Sequence, residues 1–206
     1  MGMTGREDSR RVCTAHHPAP ASGFATINAR MTRMRPYHRS SRIGGCPSAS
    51  HCGAPWGPKT SIADANPLLL VDVARKYPDL RIVLCHMGGC IWHKEAAVMV
   101  WHQPNIWLEL SGLYEGPVEP LDEMIRSGTL RPIYGTTFVE ELIQALTFAG
   151  RYERVVYGSD YPCHPMASYR RFMEAVIPKE HHTRVFRTNM EELYGVKLDA
   201  LPSEAK

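Results

Sequence analysis

The chain has 206 residues, 44% of them hydrophobic and 22% charged, with a net charge of +3. These proportions suit one soluble globular domain and exclude a fibre, a repeat array or a mostly disordered chain. No run approaches the roughly 18 to 20 consecutive apolar residues of a membrane span, and the opening MGMTGREDSRR is too polar for the apolar core of a signal peptide.

Residues 1 to 60 hold nine basic residues against Glu7 and Asp8, a local charge of +7 that leaves −4 on the remainder. Eight of the nine are Arg, interleaved with Ser, Pro, Gly and His, and the apolar positions keep neither a 3.6-residue nor a 2-residue period. Residues 1–48 are therefore expected to form a poorly ordered basic leader, and residues 49–206 the folded part. Nucleic-acid binding by the leader is disfavoured, because Phe24 and Tyr37 are its only aromatics before Trp56 and no binding motif accompanies them. Six cysteines, Cys13, Cys46, Cys52, Cys85, Cys90 and Cys163, show no paired C-x2-C spacing. That pattern suits reduced thiols in a cytoplasmic protein better than a disulfide framework or a structural zinc site.

From residue 66 the pattern becomes regular. Asn66-Pro67 supplies an N-cap and a first-turn proline, and LLLVDVARKY carries the predicted helix to Pro78. RIVLC follows as a short apolar strand suited to burial on both faces. His86-Met87-Gly88-Gly89 turns the chain, and a helix is predicted from about Trp92 to Trp101. After Gln103-Pro104-Asn105 comes a second strand, IWLEL, ending at Ser111-Gly112. A helix is predicted near PLDEMIRSG, and another over FVEELIQALTFAG with Gly150 as its stop. RVVYGSD reads as a third strand, and SYRRFMEAVI and NMEELYG as closing helices.

Short apolar strands alternating with helices mark parallel βα units, an α/β class. Such sheets gather reactive residues at the carboxyl ends of their strands, which singles out His86, Ser111 and Asp160. A His and an Asp sharing one mouth could bind a metal or move protons. The bland alternatives are a hydrogen-bonded structural His86 and a helix-capping Asp160. Cys85 and Cys163 are better read as small packing residues than as nucleophiles. Glu109 faces either the sheet interior or a salt bridge. Trp92, Trp101 and Trp107 are expected to pack in the core, while Trp56 and Trp92 could wall an aromatic substrate.

The phrases Leu84-Cys85-His86-Met87-Gly88-Gly89, Asn105-Ile106-Trp107-Leu108-Glu109-Leu110-Ser111-Gly112 and Arg154-Val155-Val156-Tyr157-Gly158-Ser159-Asp160-Tyr161-Pro162, in this order, resemble the carboxyl half of the amidohydrolase-related metal-dependent hydrolases. The tail from Asn189-Met190 to Leu193-Tyr194-Gly195 resembles that family's closing helix, so the resemblance covers residues 55 to 196. It implies a (β/α)8 barrel with a divalent metal at its carboxyl mouth, zinc first, with manganese or magnesium behind it. By motif, His86 matches the family's sixth-strand His, which serves proton transfer or substrate polarisation, and Asp160 the eighth-strand Asp, a metal ligand with a part in catalysis. His51, in His51-Cys52-Gly53, resembles the fifth-strand ligand. The implied chemistry is hydrolysis of a small carbon–nitrogen or carbon–oxygen substrate, or decarboxylation of an aromatic acid.

The departure lies at the amino end. A barrel of this kind needs about 250 residues, yet only four strands can be found, counting CPSAS before His51, which makes a poor strand. No HxH occurs, and the adjacent His16-His17 would point to opposite faces of a strand. The expectation is the second half of a TIM barrel, from a truncated or misread gene product, with little or no activity alone. An open half-sheet has an edge and an apolar face to cover, which favours a homo-oligomer or a complementary half-barrel as partner.

Overall fold

The computed structural model describes residues 46–53, 61–113, 137–161, 163 and 166–198. The leader as far as residue 45, Trp56 and the helix expected near PLDEMIRSG lie outside the described residues. Strands β1 (Ser48–His51), β2 (Ile82–Cys85), β3 (Ile106–Glu109) and β4 (Val155–Val156) form a sheet in the order β1-β2-β3-β4, with every neighbouring pair parallel. The helices are α1 (Val71–Lys76), α2 (Gly89–His102), α3 (Thr137–Ala149), α4 (Met166–Val176) and α5 (Asn189–Tyr194). This is the expected α/β architecture of parallel βα units.

Local chemistry accounts for most boundaries. The Asn66 side chain accepts a hydrogen bond from the Leu68 amide at 2.9 Å, capping a 3-10 turn over Pro67–Leu70 that runs into α1. Gly150 (φ +56°) stops α3 and Gly195 (φ +66°) stops α5, both in the left-handed conformation that glycine adopts without steric cost. The helix α2 starts at Gly89, three residues before the sequence expectation, because the glycine turn feeds directly into it. β1 forms from SASH although its composition is weak. Its register against β2, Ser48↔Ile82 through His51↔Cys85, supplies the ladder that side-chain preference does not. β4 is only two residues long, because the Tyr157 amide leaves the sheet to bond the Val185 carbonyl at 3.1 Å.

The strands alternate as a sheet buried on both faces requires. Ile82, Leu84, Ile106, Leu108 and Val155 join one core with Ala96, Met99 and Val100 of α2 and Leu142, Leu146 and Ala149 of α3. Val83, Trp107 and Val156 point the other way and form a second cluster with Leu193 of α5, with Met190 and Cys85 packed against it. The closing helix therefore covers part of the face that the sequence left open. Trp107 is buried as expected, but Trp101 is not a core residue. It stands 51% exposed beside Phe148 of α3, because the sheet-facing side of α2 is taken by small residues and Met99.

Two buried asparagines tie strand entrances to the chain around them. Asn105 Nδ2 lies within hydrogen-bond reach of the Ala74, Tyr77 and Leu80 carbonyls at 3.1, 3.0 and 2.9 Å. Asn189 Nδ2 donates to the Tyr152 and Val155 carbonyls at 2.7 Å each. Arg154, just before β4, donates to the Gln103 carbonyl at 2.5 Å and to the Ile106 carbonyl of β3 at 3.3 Å. No helix among the described residues is long and apolar enough to cross a membrane.

Removing the Asn105 amide strands several carbonyls away from water. Asn105→Ala is expected to cost about 1–3 kcal/mol in urea denaturation; a loss below about 0.5 kcal/mol would show that those carbonyls find other donors.

Candidate active site

His51 closes β1, His86 follows β2, Glu109 closes β3 and Asp160 follows β4, so all four leave the same carboxyl edge of the sheet. The His51 and His86 rings meet edge to face, with centroids 4.7 Å apart. Gly112 lies between His86 and Asp160: a Cβ placed on it would stand 2.8 Å from His86 Nδ1 and 3.7 Å from Asp160 Oδ2. The structure thus brings the three sequence-predicted residues around one mouth, with His86 in the middle. Gly53 leaves space on the other side, since a Cβ there would lie 3.2 Å from the His86 Cβ.

The backbone at this mouth is strained. His86 (φ +62°), Met87 (φ +42°) and Asp160 (φ +57°) are the non-glycine residues with positive φ among the described residues. Such conformations cost about 1–3 kcal/mol each and persist where surrounding contacts over-determine them. Tyr169 of α4 braces the neighbouring loop after β3. Its buried hydroxyl donates to the Leu110 carbonyl and accepts from the Leu113 amide at 3.0 Å, pinning the loop that carries Ser111 and Gly112.

Glu109 is the polar hub. Its Oε1 accepts from the Ser111 amide at 2.9 Å, and its Oε2 accepts from the His86 amide at 3.2 Å and the Ser111 hydroxyl at 2.8 Å. His86 Nδ1 lies 3.0 Å from Ser111 Oγ and 3.1 Å from the Ser111 carbonyl. Burial pushes the Glu109 carboxyl above the usual range, against the opposing effects of His86 and these hydrogen bonds. Gly158 makes the space, since a Cβ there would overlap Glu109 Oε1. Alternation in IWLEL left Glu109 facing either the sheet interior or a salt bridge, and its partners from the β2 turn and its own loop are invisible in a linear reading. The roles of Gly112 and Gly158 left no sequence signal.

A catalytic zinc takes three protein ligands, of which the resemblance offers two here, His51 and Asp160. Among the described residues no three His, Cys, Asp or Glu side chains are gathered so as to hold an ion. The described donor set alone therefore does not fit a metal centre. The thiols near the mouth are not activated: burial, then Glu109, pushes Cys85 up, and burial pushes Cys52 up to about 12.

Two outcomes follow. Gly158→Ala should lower stability by about 1–3 kcal/mol through overpacking against Glu109, read as a drop in Tm; an unchanged Tm would mean that the carboxylate has room to move. In the native protein the exposed Cys163 should react with a thiol reagent well before Cys52 and Cys85. Equal rates, followed by mass spectrometry, would contradict the enclosure described here.

None of the curated proteins is significantly similar to this chain. Among solved structures, an uncharacterized TIM-barrel protein from Bordetella bronchiseptica is similar with a TM-score of 0.54 at 22% identity, over 79% of this chain and 50% of that one. The 5-carboxyvanillate decarboxylase of Sphingomonas paucimobilis is similar with a TM-score of 0.50 at 18% identity, over 79% of this chain and 53% of that one. At these identities the likeness is one of fold, and the chain spans about half the length of the structures it matches. The amidohydrolase family model matches residues 15–196, reaching further toward the amino end than the three phrases that carry the resemblance. With this match running over most of its length, the chain belongs to the amidohydrolase family.

Proposed function

We propose that this chain supplies the carboxyl-terminal half of an amidohydrolase-type catalytic mouth that hydrolyses a carbon–nitrogen or carbon–oxygen bond in a small organic substrate. The observation that carries the reading is the convergence of His51, His86 and Asp160 on one carboxyl edge, with strained backbone at both His86 and Asp160. Strain of this kind concentrates where a side chain must be aimed against local preference. In this reading His86 moves the proton, taking it from water or giving it to the leaving group, while the Asp160 carboxylate stabilises positive charge beside it.

His51 and Asp160 are the proposed ligands of a divalent ion, zinc first and manganese or magnesium next. The described donors do not complete such a site, so the proton chemistry is derived without it. The further wall of the mouth comes from a second copy of this chain or from a complementary half-barrel. A cytoplasmic setting suits the free cysteines at positions 52, 85, 90 and 163.

The test is turnover of a panel of small amides, lactones and aromatic acids across a range of protein concentrations, with metal content measured alongside. Little hydrolysis is expected from dilute chain, more per chain as it assembles, and a loss of about 10²- to 10⁴-fold in His86→Gln. Release of carbon dioxide from aromatic acids instead would assign the site to decarboxylation. Concentration-independent turnover, with one metal per chain that Asp160→Ala removes, would show that no second half is needed. Absence of turnover from a folded chain at every concentration would remove the catalytic reading.

A further inference from the structure

The hydrogen-bond chain from Glu109 through Ser111 to His86 has a direction, and the direction has a chemical consequence. The Ser111 backbone carbonyl, 3.1 Å from His86 Nδ1, can only accept. A proton on Nδ1 satisfies that contact and is shared with Ser111 Oγ at 3.0 Å. Ser111 Oγ in turn donates its own proton to Glu109 Oε2 at 2.8 Å, which leaves its lone pairs free to accept from the ring. Glu109 closes the chain as an acceptor at both oxygens, because the Ser111 amide donates to Oε1 and the His86 amide to Oε2. No hydrogen bond from His86 Nε2 to another described residue competes with this arrangement.

We propose that Glu109, acting through Ser111, is a positioning residue that holds His86 in the Nδ1–H tautomer and so presents Nε2 as the bare, proton-accepting nitrogen of the mouth. This deepens the hydrolase reading and rests on it for the use to which Nε2 is put. The logic is that of a carboxylate orienting a catalytic imidazole, with one hydroxyl interposed. Three further features serve the same geometry. Gly158 admits the Glu109 carboxylate, Gly112 (φ +68°) lets the backbone pass His86 Nδ1, and the positive φ of His86 aims its ring back toward the loop after β3. Because Glu109 also holds the His86 amide, one side chain fixes both the backbone and the ring of the same residue.

The tautomer is measurable without any substrate. In the full-length ¹⁵N-labelled chain at pH about 8, above the ordinary imidazole range, the ring nitrogens of His86 are assigned by their loss in His86→Gln. The expected result is a protonated Nδ1 and a bare Nε2, with Glu109→Gln moving the tautomer ratio roughly tenfold toward Nε2–H while the amide spectrum stays folded, as loss of one charge-assisted hydrogen bond would do. If Glu109→Gln does not fold, Ser111→Ala removes only the hydroxyl and should move the ratio in the same direction. A wild-type His86 in the Nε2–H form would overturn the proposal, and so would a folded Glu109→Gln or Ser111→Ala variant that keeps the wild-type ratio. A merely structural role for Glu109 would change stability and leave the ratio where it is. Nδ1–H without turnover would sink the hydrolase reading and leave the positioning role standing; turnover with Nε2–H would do the reverse.

Discussion

Parallel strands cannot be joined by a tight turn, and the rest of this structure depends on that constraint. Each strand must return to the opposite end of the sheet before the next begins, so every loop leaving a strand emerges at the same edge. His51, His86, Glu109 and Asp160 are far apart in the chain but occupy equivalent places at or just after β1, β2, β3 and β4. The constraint also demands cover on both faces. α2 and α3 cover one with aliphatic side chains, and the short closing helix α5 lays Leu193 and Met190 on part of the other.

The carboxyl edge carries the positive-φ non-glycine residues of the described chain, His86, Met87 and Asp160. A carboxylate enclosed at a sheet end is costly unless donors surround it, and Glu109 gathers three of them from the residues it organises. Two glycines and the Tyr169 hydroxyl hold the loops that make this possible. The opposite ends of the strands are built differently. There Asn105, Asn189 and Arg154 satisfy carbonyls at strand entrances, which stabilises the sheet without shaping a site.

Much of the fold was legible because periodicity and punctuation agreed. The apolar runs RIVLC and IWLEL, the Asn66-Pro67 cap and the Gly150 stop each carry their own local physical reason, and the elements formed within a few residues of where they were expected. SASH was harder, since its strand state comes from pairing with β2, and Trp101 misled because helical spacing does not say which turn of a helix faces solvent. At the site, the rule that reactive residues follow parallel strands was enough to single out His86, Ser111 and Asp160 before any contact was known. It could not show that Ser111 bridges Glu109 to His86.

The sequence by itself determined the parallel α/β class, the order of its elements, the amidohydrolase resemblance and the residues offered to the mouth. These are encoded in local patterns of burial, turn chemistry and motif. Only the tertiary structure decided that His86 stands between His51 and Asp160, that Glu109 is a hydrogen-bond hub and not a salt-bridge partner, and that the absent side chains of Gly112 and Gly158 make the arrangement fit. The reason is physical: such contacts join residues from different strands, and their distances exist only once the sheet has set the register and the loops have closed over it.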